Sequence, residues 1–261
     1  RIKDCPRKKL GQSFQYGENR VVGSNSDWEF QIKSQIKKRY ARQIAEDNFL
    51  PDGAKRMAEL GYSNDMISLL PDELQGAFSG CGCPISDLTF AGDEVVIDLG
   101  CGAGIDGFIA SKLVPSGVVI SVDFTFEMLK ILQNHAQGTP VNVLASDVES
   151  LPLRSGIADY AISNAVFNLT PNKDMAYREM HRILKPRGRI ALCDLVCNGE
   201  LPREILEDPL AHTTSLGGVV DEDKMKSALE AAGFVEIKIK NHSQFSVVVA
   251  VMITAQRKRS N

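Results

Sequence analysis

Three aspartates along the middle of the chain carry the first chemical signal. Asp98 stands two residues before Gly100, Gly102 and Gly104 in "VVIDLGCGAGIDGF"; Asp123 closes "GVVISVDF"; Asp147 stands in "ASDVESLP". Glycines at that spacing allow a tight turn and a close backbone approach to a ligand. A carboxylate at 98 would sit beside the cationic part of that ligand. One at 123 can accept both hydroxyls of a ribose, and one at 147 can take the amino group of adenine. Singly, each aspartate reads equally well as a helix cap or turn residue. Together they fall at three successive strand ends, which is where open α/β sheets bind ligands. The loop lacks the Gly-Lys-Ser/Thr ending of a phosphate-binding P-loop.

The elements that would position these groups alternate between strand and helix. "EVVIDLG" is a continuous apolar run, as expected of a parallel strand covered on both faces. "IDGFIASKLV" reads as a helix, "GVVISVDF" as a strand, "TFEMLKILQNHAQ" as a helix, and "VNVLASD" and "ADYAISNAV" as strands. "NKDMAYREMHRILKPRG" reads as a helix ended by Pro186 and Gly188, and "RIALCDLV" as a fifth strand. "DEDKMKSALEAAGF" is a further helix; "VEIKIK" and "SVVVAVMITAQ" form a closing hairpin that supplies one antiparallel strand at the edge region. The expected fold is therefore α/β, a Rossmann-like, mostly parallel sheet of seven strands with a C-terminal antiparallel hairpin. Residues 1 to about 26 read as an irregular arm. From Asp27 to Ala45, Phe30, Ile32, Ile36, Tyr40 and Ile44 recur at roughly helical spacing, and a second helical patch follows in "DGAKRMAEL". The expected division is an N-terminal arm and helical cap over 1–85 and a ligand-binding domain over 86–261.

Composition narrows the function classes. Hydrophobic residues make up 43% and charged residues 24% of the 261, which suits a soluble globular chain. A net charge of −3 argues against a nucleic-acid partner. The basic clusters Arg7-Lys8-Lys9 and Arg257-Lys258-Arg259 read as solvated ends. No apolar run reaches the ~20 residues of a membrane span, and no signal-peptide pattern is visible. Six cysteines (5, 81, 83, 101, 193 and 197) are too sparse for a disulfide scaffold and fit reduced thiols in a cytoplasmic protein.

The three carboxylates and the glycine loop fit S-adenosylmethionine better than NAD, and here a family resemblance enters. The chain resembles the class I S-adenosylmethionine-dependent methyltransferases, and most of all the arsenite methyltransferases. The matching stretches are "AFSGCGCPIS", "VIDLGCGAGID", "VDFTFEML", "SDVESLPL", "SNAVFNLTPNK" and "REMHRILKPRGRIALCDLV", with a weaker echo in "SLGGVVDEDKMKSALEAAGF". "Gly-Ile-Asp" after the glycine loop and "Asn-Leu-Thr-Pro" after the fourth strand go beyond the general methyltransferase pattern, and a quinone C-methyltransferase would lack both. The resemblance implies an enzyme that uses S-adenosylmethionine on a small-molecule acceptor. Its cofactor residues would be Asp98, Gly100, Cys101, Gly102, Gly104, Asp123, Phe124, Met128, Asp147, Val148 and Asn164. Tyr40 resembles the cap residue that closes over the cofactor in such enzymes.

The resemblance also implies that trivalent arsenic is held by thiolates from separate loops, since a soft metalloid prefers sulfur ligands. Cys81 matches the first. Ala165 stands where the second would fall, and Ser215 where the third would. Cys83 is an additional acceptor-side candidate beside Cys81. A zinc site from residues 81, 83, 193 and 197 fits poorly, because Cys-x-Cys and Cys-x₃-Cys are unusual zinc spacings. His181 reads as a half-buried structural residue and His212, in a loop, as a candidate base. With no thiol at 165, Ala165, Val166, Phe167 and Ser215 are expected to line an apolar acceptor pocket, Val166 and Phe167 forming a wall beside the methyl; the plainer reading of Phe167 is a plug at the sheet edge. The expected function is methyl transfer to an acceptor other than arsenite. A quinone or ring C-methyltransferase, and a non-catalytic S-adenosylmethionine-binding partner protein, are the alternatives.

Overall fold

Short β-branched runs too apolar for an exposed position build the centre of the molecule. In a computed structural model, which describes residues 25–46, 52–199, 201, 213, 216–245 and 247–259, they form one eight-stranded sheet. Strands β1 (Val95–Leu99), β2 (Val118–Asp123), β3 (Val141–Ala145), β4 (Ala158–Asn164) and β5 (Leu184–Cys197) run parallel. The two-residue β6 (Val220–Asp221) pairs with the end of β5, and β7 (Phe234–Phe245) and β8 (Val248–Arg257) form an antiparallel hairpin. The order is β3-β2-β1-β4-β5-β8-β7, with β6 off this path.

That order reverses on either side of β1: the chain leaves it toward β2 and later returns to β4 on its other side. Such a switch point opens a crevice at the strands' carboxyl ends. Three of the expected aspartates stand at or just past those ends.

Helices cover both faces. Alternate residues of each strand point to opposite sides, so Val96 and Ile162 pack with α5 (Ile105–Leu113) and α6 (Phe126–His135), whereas Ile97 and Ala161 pack with α7 (Lys173–Ile183) and α8 (Glu222–Ala231). The short helices α2 (Gly53–Glu59), α3 (Asn64–Ser68) and α4 (Asp72–Gly76) join the first of these cores through Met57, Ile67 and Leu74. Helix α1 (Asn25–Ala45) has a smaller footing: Ile32 and Ile36 pack with Leu169, helped by Trp28, Tyr40 and Phe124.

Several expectations are corrected. Seven strands become eight, because β6 adds a two-residue pairing that is too short to leave a sequence period. The closing antiparallel hairpin stands at the sheet's edge region as expected, with β8 between β5 and β7 and its run Val248 to Ile253 buried. Helix α7 ends at Ile183, and Pro186 and Gly188 belong to a bulged start of β5 where the register against β4 shifts. Phe30 is 74% exposed, so the apolar stripe of α1 runs through Ile32 and Ile36 without it.

Candidate functional site

Between α1 and the carboxyl ends of β1 to β4 lies a cleft of about 710 Å³, its open mouth included. Its floor is the glycine turn after β1. Gly102 has a left-handed backbone (φ +54°), and a Cβ there would meet no protein atom within 4 Å, so the residue faces open cleft. A Cβ on Gly100 would strike Val166, and one on Gly104 would strike Leu132. Gly104 therefore keeps its Cα face free for Leu132 and serves α5–α6 packing. Cys101 leaves the main cleft, lining a smaller adjoining pocket.

The three aspartates do gather here. Asp123 lines the cleft; its Oδ2 accepts from Gly102 N at 2.9 Å and its Oδ1 from Thr125 N at 2.7 Å. Each oxygen keeps a second lone pair for a ligand hydroxyl. Burial raises this carboxyl's pKa, opposed by those backbone donors. Asp147 lines the same wall with Phe124, Met128 and Val148, all expected from the sequence. Asp98 lines the adjoining pocket with Asp106, 2% and 6% exposed respectively. Burial and the neighbouring Asp106 push Asp98 well above the usual carboxylate range. Burial pushes Asp106 up to about 6, against hydrogen bonds from Tyr62 and Asn164 that lower it. Two buried carboxyls side by side form a strongly cation-seeking pocket.

Asn164 ends β4 at the junction of the two pockets. Its Nδ2 donates to Tyr62 OH (3.1 Å), Gly82 O (2.7 Å) and Asp106 Oδ2 (3.0 Å), and its Oδ1 accepts from Cys81 N (2.9 Å). Tyr62 OH donates in turn to Asp106 Oδ1 at 2.6 Å. The amide expected to touch ligand is thus committed to tying the 79–83 loop onto β4 and α5. Beyond it the chain turns sharply. Ala165 adopts a left-handed conformation (φ 58°), and the buried Asp194 of β5 accepts from Phe167 N and Asn168 N.

This turn separates the expected wall residues. Ala165 and Val166 line the cleft. Phe167 does not: it is 1% exposed and stacks on Tyr177 at 4.8 Å in the core beneath. The left-handed residue breaks strand alternation, so the plug reading of Phe167 replaces the wall. Cys83 is not brought to the cleft, whereas Cys81 stands beside the cleft residues Tyr40 and Ala165. Cys81 packs against the core and Cys83 is buried within it, and burial pushes both thiols up, which leaves neither a thiolate. Among the described residues, no group of three or more His, Cys, Asp or Glu side chains is placed to hold a metal ion. Ser215 and His212 lie outside the described residues. His181 stands edge-on to Phe234, 5.3 Å away, as a structural ring.

Helix α1 forms the roof. Lys33, Ile36 and Tyr40 fall on one face, at spacings of three and four, and all line the cleft. Lys33 Nζ contacts Asp147 Oδ2 (2.8 Å) and Glu149 Oε2. Burial opposes the Lys33 charge, but these carboxylates outweigh it and hold its pKa above the usual lysine value. Lys33, Glu149, Asp106, Tyr62 and Asp194 were not assigned roles from the sequence. Only Asp106 left a signal there, in "Gly-Ile-Asp".

Residues 91–233 match the family model described as a methyltransferase domain. The chain belongs to this methyltransferase family. It is 37% identical over 190 residues to the arsenite methyltransferase of Halobacterium salinarum, covering 70% of this chain and 48% of that one. Against the arsenite methyltransferase of Aquipseudomonas alcaligenes it is 31% identical over 193 residues, covering 70% and 55%. The chain thus spans about half the length of these curated relatives. In fold it is similar to an arsenic(III) S-adenosylmethionine methyltransferase from Chlamydomonas reinhardtii, with a TM-score of 0.61 and 24% identity over 73% of this chain and 71% of that one. A phosphoethanolamine N-methyltransferase from Haemonchus contortus, in complex with S-adenosylmethionine, is similar with a TM-score of 0.61 and 14% identity, covering 70% and 54%. Among the described residues, no helix is long and apolar enough to cross a membrane.

Proposed function

We propose that this methyltransferase transfers the methyl of S-adenosylmethionine to a small, uncharged, largely apolar organic acceptor. The distribution of charge in the cleft supports this most directly. Of the charged residues that line it, Lys33 is paired with Asp147 and Glu149, while Ser79, Ala165, Val166 and Leu169 add surface without a charge. Asp123 would take the ribose hydroxyls, Asp147 the adenine amino group, and the Asp98–Asp106 pocket the ammonium of the methionine moiety.

When bound, the cofactor supplies a sulfonium methyl that is already electrophilic. The chain's own contribution is alignment and exclusion of water. Tyr40 and Ile36 close the roof, and Ala165 and Val166 offer apolar contact to the acceptor body. These residues would hold an acceptor lone pair in line with the methyl carbon, so that the C–S bond's electrons would pass to sulfur and the acceptor's proton to solvent. The arsenite methyltransferases among the relatives do not extend their acceptor to this chain. Ala165 cannot ligate arsenic, and the half-buried Cys81 beside it is a single thiol, which cannot form a chelate.

Formation of S-adenosylhomocysteine with phenolic, quinol, thiol and arsenite acceptors tests the reading. Turnover is expected with apolar ring acceptors and not with arsenite. Arsenite turnover matching that of a three-thiol enzyme would overturn the acceptor assignment. Cofactor binding without turnover on any acceptor would make the chain a binding protein.

A further inference from the structure

Every carboxylate oxygen around the Lys33 ammonium has a defined partner. Asp147 Oδ1 accepts from Glu149 N at 3.0 Å, and Glu149 Oε1 accepts from Asn172 N at 2.9 Å. The remaining oxygens, Asp147 Oδ2 and Glu149 Oε2, both meet Lys33 Nζ. One ammonium thereby joins α1, the loop after β3 and the loop before α7. Glu149 is only 9% exposed and Lys33 23%, so solvent screens this bridge less than a surface pair.

The rest of the roof's attachment is modest. The apolar footing of α1 is the small cluster of Ile32, Ile36 and Leu169, together with the partly buried Tyr40 and Ile44 against the main core. Its polar ties include, besides Lys33, the Arg39 contact to Thr213 O and the Lys37 ammonium 5.0 Å above the Phe124 ring. Asp147 is also the carboxylate that faces the nucleoside end of the cleft. Because each carboxylate oxygen has two lone pairs and the ammonium three protons, Asp147 can hold Lys33 and a ligand amino group together.

We infer that Lys33 is the latch of the cap: bridging Asp147 and Glu149, it holds α1 closed over the nucleoside end of the cleft and sets how long the cofactor stays bound. This rests on the cofactor assignment above. The positioning residues are Lys33 and Glu149, neither of which needs to touch the cofactor.

Dissociation of S-adenosylhomocysteine by stopped flow, in the unmodified protein, Lys33→Met and Glu149→Gln, tests the latch. Both variants leave Asp147 in place. Each is expected to release the ligand about tenfold faster or more, the size of losing a hydrogen bond to a charged group. Release from the unmodified protein should quicken with salt, and release from Lys33→Met should not. Hydrogen exchange over residues 25–45 without ligand is the second readout, with protection expected to fall in Lys33→Met. Equal exchange in variant and unmodified protein would overturn the latch whatever the ligand does. Equal release rates would overturn its role in retention. Failure of the unmodified protein to bind the ligand at all, with α1 exchange still dependent on Lys33, would instead overturn the cofactor assignment and the retention role together, leaving only the tie.

Discussion

Replacing Asn164 tests whether the network at the end of β4 holds the 79–83 loop. Its side chain has four polar partners, three neutral and the Asp106 carboxyl, and the amide's two N–H protons are shared among three of them. Neutral bonds are worth about 1 kcal/mol each and a bond to a charged group about 1.5–3. Water can refill part of an Asn164→Ala cavity, so a net loss of about 3 kcal/mol is expected, or roughly 6–12 °C in Tm for a domain of this size. The loop leaves little freedom for compensation, since a Cβ on Gly80 would collide with the Asn164 amide.

Asn164→Asp separates this account from simple loss of volume. It keeps the shape but sets a carboxyl oxygen where Nδ2 now stands, 3.0 Å from Asp106 Oδ2. Two carboxylates that close cannot both ionise. The variant should melt close to the unmodified protein at pH 5, where the pair shares a proton, and well below it at pH 8. Melting curves at the two pH values, with hydrogen exchange over 79–83, are the assay. An Asn164→Ala protein within about 2 °C of the unmodified one, with unchanged exchange in the loop, would refute the reasoning.

Phe167→Ala should cost about 3–5 kcal/mol, as large-to-small core changes do, while the affinity for S-adenosylhomocysteine measured by calorimetry in the folded fraction stays the same; weakened binding at unchanged Tm would restore the wall reading. The pH dependence follows from Asp106, whose pKa rises from its ordinary 3.8 to about 6 in the fold. A raised carboxyl contributes stability below pH 3.8 that is lost as pH rises toward 6. A cationic ammonium favours the ionised form, so binding of S-adenosylhomocysteine should weaken about tenfold for each pH unit below 6. Asp106→Asn should flatten both trends, and a variant with the same pH profile as the unmodified protein would refute the assignment.

The parts legible in the sequence were those governed by local rules. β1 and β2 read as unbroken apolar runs, and a polar residue closing such a run marks the sheet's carboxyl edge, so Asp98, Asp123 and the nearby Asp147 could be placed before the fold was known. The position of β8 against β5 was not legible, because that pairing joins residues far apart in the chain, from Cys197 with Val248 to Arg189 with Gln256. Nor was the Lys33–Glu149 contact, 116 residues apart, since nothing in a helix's own period says which loop it will cover.

The stretch after β4 shows why the acceptor side misled. "SNAVF" alternates as a strand would, which puts residues 165 and 167 on one face and 166 on the other. The left-handed Ala165 resets that phase, at a strain of about 1–2 kcal/mol for a residue with a Cβ. Backbone groups and one carboxylate hold the turn: Ala165 N donates to Cys193 O, and Asp194 grips Phe167 N and Asn168 N. None of these bonds uses the side chain at 165. A chain with alanine there instead of cysteine therefore keeps the wall, the buried plug and the alignment of the cleft. What it lacks is the thiol that the family resemblance implies at 165, so on the function proposed above acceptor choice can diverge at this position while the geometry of methyl transfer is left standing.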